Sequence, residues 1–140
     1  MIRTYIELLL RWNRRISLTT VTKPEEILRF HIGESAFAAA ALPIDHGRLA
    51  DVGTGAGFPG LPLKLVQPEL DVLLIESNSR KAVFLREVVR VINLDRVEVV
   101  RSRAEEMSLT IPPFDFITAR AVGEDRKSVV LGKSVDVGGR

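Results

Sequence analysis

The stretch DVGTGAGFPG at residues 51–60 carries four glycines in ten residues, at the end of the apolar run RLADV (48–52). Glycine contributes no side chain and loses more backbone freedom on folding than any other residue, so such a concentration marks main chain that something must approach closely. The flanking sequence says where this loop sits. GLPLKLV (60–66) reads as a helix with its proline confined to the first turn, and LDVLLIE (70–76) as a second apolar strand. The loop therefore joins a strand to a helix, the place where open parallel sheets bind nucleotides.

Two spacings overlap in it. Gly53-x-Gly55-x-Gly57 after Asp51 is the pattern of S-adenosylmethionine enzymes, and Gly55-x-Gly57-x-x-Gly60 satisfies the dinucleotide fingerprint. Glu76 closes the second strand, 21 residues after Gly55, where a carboxylate can accept both hydroxyls of a ribose. Together they point to an adenosine-containing ligand and leave NAD and S-adenosylmethionine both open.

Outward from the loop the elements alternate. An amphipathic helix is expected over 2–15, and a second over 24–41, with Thr22 as its cap and Pro24 in its first turn. Beyond Glu76, SRKAVFLREVVRVINL (79–94) reads as a helix and RVEVVR (96–101) as a strand. RAEEMS (103–108) reads as a helical turn and FDFITARA (114–121) as a fourth strand. Apolar strands alternating with helices imply a parallel sheet in a doubly wound layout, with its ligand at the carboxyl ends of the strands.

Composition excludes several classes. The 140 residues suit one domain, 46% hydrophobic and 27% charged, and no apolar run is long enough to span a bilayer. With no cysteine and two histidines, neither a disulfide framework nor a metal centre is expected, and the chain reads as cytoplasmic. The net charge of +2 comes wholly from residues 125–140, where Arg126, Lys127, Lys133 and Arg140 face Asp125 and Asp136. Only a local basic patch, then, could speak for a nucleic-acid partner.

The stretches LLLRWNRRISLTTVT, HIGES, DVGTGAGFPGLPLKL, ESNSRKAVFLREVV, SRAEE and FDFITARAV run in order over residues 5–122. In these the chain resembles the bacterial 16S rRNA guanine-N7 methyltransferases, the small-subunit rRNA methyltransferase G or glucose-inhibited division protein B family. The resemblance implies a Rossmann-like S-adenosylmethionine-dependent methyltransferase fold, its parallel sheet truncated at the C-terminal side and preceded by N-terminal helices. The implied division is an N-terminal helical segment at 1–45 and a cofactor-binding core at 46–123. The implied cofactor contacts are Gly53 and Phe58 in the loop, Glu76, Ser77 and Asn78 after the second strand, Ala104 and Glu105 after the third, and Arg120 at the end of the fourth. The family usually has Asp where this chain has Glu76.

The implied reaction is methyl transfer to one guanine N7 of 16S rRNA, free or in the assembled small subunit. That nitrogen carries an in-plane lone pair, so no catalytic residue is assigned; alignment and a dry site carry the work. His31 and Ser35, one helical turn apart, are not assigned catalysis. Arg11, Arg14 and Arg15, joined by Lys23 and Arg29, form the candidate RNA-contacting patch, and RWNRR (11–15) sets an aromatic among its cations.

The segment DRKSVVLGKSVDVGGR (125–140) resembles the translation of a sequencing adapter, so residues 124–140 read as a non-native tail. On that reading the natural sequence is cut after the fourth strand, which becomes an exposed apolar edge, and a helical segment is missing before Met1. The chain itself is then expected to be marginally folded and poorly active. Two other functions compete: a fragment of an NAD-dependent oxidoreductase, and a non-catalytic RNA-binding module.

Overall fold

Apolar side chains three and four residues apart bury one side of the first helix, α1 (Ile2–Asn13), through Tyr5, Ile6, Leu8 and Leu9. The structure is a computed structural model that describes residues 1–19, 22–41, 46–103, 106, 114–120 and 127–135; of residues 31, 38–41, 119, 120 and 127–135 it describes the backbone alone. The helix expected over 24–41 forms in three pieces: α2 (Pro24–Glu26), a π-helical segment (Ile27–Ile32) and α3 (Gly33–Ala41). The wider winding has a visible consequence. Residues five apart come to one face in a π-helix, and Ile27 and Ile32 are both buried.

The sheet follows the expected alternation: β1 (Gly47–Val52), α4 (Gly60–Val66), β2 (Leu70–Glu76), α5 (Ser79–Ile92), β3 (Val97–Arg101) and β4 (Phe114–Arg120). Asn78 caps α5 by accepting the Lys81 N–H. Asn93, at φ 61°, ends that helix two residues before the expected Leu94, because the left-handed conformation cannot continue the winding. Strand order is β3-β2-β1-β4-β5, with β1 parallel to both β2 and β4, and β2 parallel to β3. The chain steps outward from β1 through β2 to β3, then crosses back to β4. The crevice at the carboxyl end of β1 is thus the topological switch point.

One expectation is corrected here. The fourth strand is no open edge, because β5 (Lys127–Val135) pairs with it antiparallel, Arg120 opposite Lys127. SVVLGKSV is rich in Val, a residue favoured in strands, whatever the origin of the segment.

The core divides by sheet face. Leu49, Leu70, Val72 and Leu74 share one cluster with Tyr5 and Leu9 of α1, Leu61 and Leu63 of α4, and Phe84 and Val88 of α5. Ala50, Leu73, Ile75 and Phe114 form the other, which among the described residues contains strand side chains alone. Where both faces were expected to carry helices, the described helices gather on one. Trp12 of α1 meets Phe84 of α5 edge-to-face, with ring centroids 5.8 Å apart. Lys64 breaks the apolar logic of α4: it is 2% exposed, and its Nζ donates to the Pro68 and Leu70 carbonyls with Asp95 at 3.7 Å. Burial lowers its pKa, opposed mainly by Asp95.

Tyr5 ties α1 to the glycine loop. Its hydroxyl donates to the Ala56 carbonyl at 2.6 Å, and burial, with a smaller contribution from the Asp51 charge, raises its pKa well above 10.0. The folded state therefore keeps this proton where the unfolded chain has lost it, so stability is fully present below about pH 10 and falls as pH rises further. Lys64 acts with the opposite sign, since its folded pKa lies below its unfolded one. Tyr5→Phe is expected to cost about 1–2 kcal/mol at neutral pH through the unsatisfied carbonyl. It should also remove the Tyr5 part of the alkaline decline. Urea melts of both proteins between pH 8 and 11 test this as a difference in which Lys64 cancels; parallel curves would refute it.

Candidate functional site

Three carboxyl strand ends meet at the switch point, and a buried carboxylate organises them. Asp51, the fifth residue of β1, has no solvent exposure. Its Oδ2 accepts the Thr54 hydroxyl at 2.6 Å and the Gly60 N–H at 3.0 Å, and its Oδ1 accepts the Thr118 hydroxyl of β4 at 2.8 Å. One side chain thus fixes the loop, the first residue of α4 and the neighbouring strand. Hydrogen bonds to a charged acceptor are the strong class, about 1.5–3 kcal/mol each.

A second carboxylate closes the loop from the other side. Glu76, 7% exposed at the end of β2, accepts the Gly55 N–H at 2.8 Å through Oε1 and the Asn78 N–H at 3.0 Å through Oε2. The Gly53 and Thr54 N–H groups both donate to the Ile75 carbonyl, at 2.9 and 3.2 Å. The loop is laid across the end of β2, with Glu76 beneath it.

The glycines fall into two kinds. A Cβ on Gly60 would stand 2.7 Å from Leu74 Cδ2 and 2.9 Å from Asp51 Oδ2; one on Gly57 would stand 2.6 Å from Leu61 Cδ1 and 2.9 Å from the Tyr5 hydroxyl oxygen. These two are bare because the protein packs against itself. Gly53 and Gly55, at φ 65° and 61°, face open space, with nothing within 4 Å of a Cβ. They are the surface a ligand can press against.

The structure distributes the expected site residues unevenly. It brings together Gly53, Glu76, Ser77 and Asn78 around the crevice. Asn78 spends its side chain on the cap of α5 and its N–H on Glu76, while Ser77 is exposed. Phe58 is half-buried and turns its ring edge-to-face onto Tyr5, centroids 5.9 Å apart. Arg120 closes β4 two residues after Thr118, described by its backbone alone; Ala104 and Glu105 lie outside the described residues. Arg11, Arg14 and Arg15 are exposed at the far end of α1. His31 lies in the π-helical segment, again as backbone, and Ser35 is buried. Sequence reasoning missed Asp51 as the organiser and Thr118 as its partner. The available signal was an acid inside an apolar strand, which survives burial only with donors around it. Among the described residues no three His, Asp or Glu side chains group as a metal would require.

The two kinds of glycine separate in a melt. Gly60→Ala forces Leu74 or Asp51 aside and is expected to cost about 2–3 kcal/mol. Gly55→Ala meets no neighbour and should cost about 1–2 kcal/mol for its left-handed backbone. Thermal unfolding of the two variants decides it, and equal losses would overturn the division.

A curated relative from Desulfitobacterium hafniense (strain Y51), named ribosomal RNA small subunit methyltransferase G, is 42% identical over 122 residues, 84% of this chain and 50% of that protein. Another of the same name, from Roseiflexus castenholzii (strain DSM 13941 / HLO8), is 43% identical over 133 residues, 92% of this chain and 57% of that protein. The chain spans about half the length of the curated relatives it matches. Among solved structures, coclaurine N-methyltransferase bound to N-methylheliamine and SAH superposes over 83% of this chain and 34% of its own, at 19% identity and a TM-score of 0.56. That likeness establishes the Rossmann-like methyltransferase fold alone. The GidB model, rRNA small subunit methyltransferase G, matches residues 1–140, and the chain belongs to that family.

Proposed function

We propose that the chain forms the cofactor-binding part of an S-adenosylmethionine-dependent methyltransferase acting on N7 of a guanine in 16S rRNA, free or within the small ribosomal subunit, in the cytoplasm. The observation that carries the cofactor is the pair of open glycines above a partly satisfied carboxylate. A carboxylate offers about four lone-pair directions, and Gly55 and Asn78 use two on Glu76. The remaining two can accept the hydroxyls of a ribose, while the bare main chain at Gly53 and Gly55 lets the nucleoside lie flat. Coclaurine N-methyltransferase, a solved methyltransferase of this fold, is bound to SAH, which supports the same choice.

The residues present fit that cofactor, which when bound supplies a methyl group on a positively charged sulfur. Glu76 would hold the sugar, with Asn78 fixing the carboxylate. Gly53 would leave room for the nucleoside, and Ser77, Ala104 and Glu105 would follow on the adenine side. Phe58 would shield the loop from the α1 side, and Arg120 would border the reacting end above β4. Guanine N7 presents its own lone pair, so the chain needs no proton acceptor. Its contribution is to hold the partners in line and exclude water, a form of orientation that lowers barriers by several kcal/mol. The RNA and its guanine rest on the family, whose members carry an rRNA methyltransferase name.

Calorimetry with S-adenosylhomocysteine and, separately, with NADH tests the nucleoside assignment. S-adenosylhomocysteine is expected to bind and NADH to give no heat. Glu76→Gln should weaken binding at least tenfold, about 1.4 kcal/mol, while the melting temperature moves by a few degrees at most. Binding of NADH alone, or affinity indifferent to Glu76, would overturn the reading.

A further inference from the structure

The glycine loop is held in two halves. Its first half belongs to β2, through the Gly53 and Thr54 N–H groups on the Ile75 carbonyl and the Gly55 N–H on Glu76. In its second half the Gly57 and Phe58 N–H groups turn back onto the Thr54 carbonyl, within the loop itself. What reaches this half from a distant part of the chain is Tyr5 of α1, 51 residues before Ala56.

Tyr5 meets three consecutive loop residues, each in a different way. Its hydroxyl donates to the Ala56 carbonyl at 2.6 Å. Gly57 is bare where that hydroxyl lies, since a Cβ there would stand 2.9 Å from it. Phe58 sets its ring edge-to-face against the Tyr5 ring, at an interplanar angle of 61°. Packing alone does not call for the hydroxyl, because a phenylalanine would fill the same place in the cluster with Leu9 and Leu61. A buried hydroxyl is tolerated only with a partner, and here the partner is the loop. Ala56 is 3% exposed and Tyr5 has no exposure, so Tyr5 stands behind the loop and does not line the crevice.

We infer that Tyr5 is a positioning residue for the cofactor: from behind the loop it fixes residues 56–58, and with them the ring of Phe58, in the arrangement that the nucleoside binds. The inference rests on the S-adenosylmethionine reading. A loop fixed before the ligand arrives binds it with a smaller loss of conformational freedom. Releasing residues 56–58 therefore lowers affinity without removing any contact to the ligand. The cofactor-binding unit then starts at α1, and the division expected at residue 45 does not separate cofactor binding from the N-terminal helices.

The test uses the 140-residue chain, with S-adenosylhomocysteine affinity read by calorimetry well below the melting temperature, where every variant is folded. Tyr5→Phe removes the hydroxyl alone and is expected to weaken binding about three- to tenfold, the range of one neutral hydrogen bond. Amide exchange in the unliganded chain should quicken at Gly57 and Phe58. Ile92→Val, a core truncation at the far end of α5 with a comparable stability loss, should change neither quantity. The steric fit gives a separate check. Gly57→Ala drives a Cβ toward the Tyr5 hydroxyl, so removing that hydroxyl relieves part of the clash. The affinity loss in Tyr5→Phe/Gly57→Ala is then expected to fall short of the product of the two single losses. Because the chain has one tyrosine, ring-labelled tyrosine gives one magnetic resonance signal, which should move on adding S-adenosylhomocysteine although the ring has no exposure. Unchanged affinity and exchange in Tyr5→Phe, losses that multiply in the double variant, or an unmoved signal would overturn the inference and leave the cofactor reading standing. So would an equal weakening by Ile92→Val, which would make the contribution of Tyr5 one of stability alone. An unaltered chain that binds no S-adenosylhomocysteine would defeat the methyltransferase reading, and the inference with it.

Discussion

Three pieces of chain, one of them 67 residues away in sequence, converge on the carboxylate of Asp51. A fully buried carboxylate is tolerable only with donors on it, and the loop, the start of α4 and β4 each supply one. The constraint runs in both directions. The Gly60 N–H reaches Oδ2 at 3.0 Å because Gly60 has no Cβ; a side chain there would stand 2.9 Å from that oxygen. The pairing of an acid with a glycine nine residues later is therefore a steric and an electrostatic requirement at once. It decides where β1 stops, where α4 starts, and how far β4 lies from the loop.

Seen from the loop, the outcome is main chain held from three sides before any ligand arrives. Asp51 grips it from β1, Glu76 and the Ile75 carbonyl from β2, and Tyr5 from α1 through the Ala56 carbonyl. A site arranged in advance loses little conformational entropy on binding, so more of the contact energy appears as affinity. Gly53 and Gly55 are where this held main chain is bare and faces outward.

Much of this was legible in the sequence. The order of elements, the parallel pairing and the juxtaposition of Glu76 with the glycine loop follow from periodicity and spacing, because those signals are local. What was not legible is what tertiary contact decides. Gly57 and Gly60 look like Gly53 and Gly55 on paper, and only the approach of Tyr5, Leu61, Leu74 and Asp51 tells the two kinds apart. Lys64 reads as the polar face of a short helix, yet two carbonyls and Asp95 make a buried place for its ammonium. The winding change at Ile27–Ile32 leaves no mark in composition, since the same apolar residues would serve a regular helix. β5 was not expected because residues 125–140 resemble a foreign tail, yet its Val-rich stretch pairs with β4.

The balance of charge over residues 1–124 also meant less than it suggested, because balance in number is not balance in space. Both carboxylates at the crevice, Asp51 and Glu76, are buried and accept N–H and hydroxyl donors of their own chain, which is what makes their burial tolerable. The acids at the opposite end of β2 and β3 are taken up by Lys64 and Arg96. At the crevice end, Arg101, the register partner of Glu76, and Arg103 are exposed. A chain whose charges balance in number over residues 1–124 can in this way hold Asp51 and Glu76 inside and Arg101 outside at one strand end.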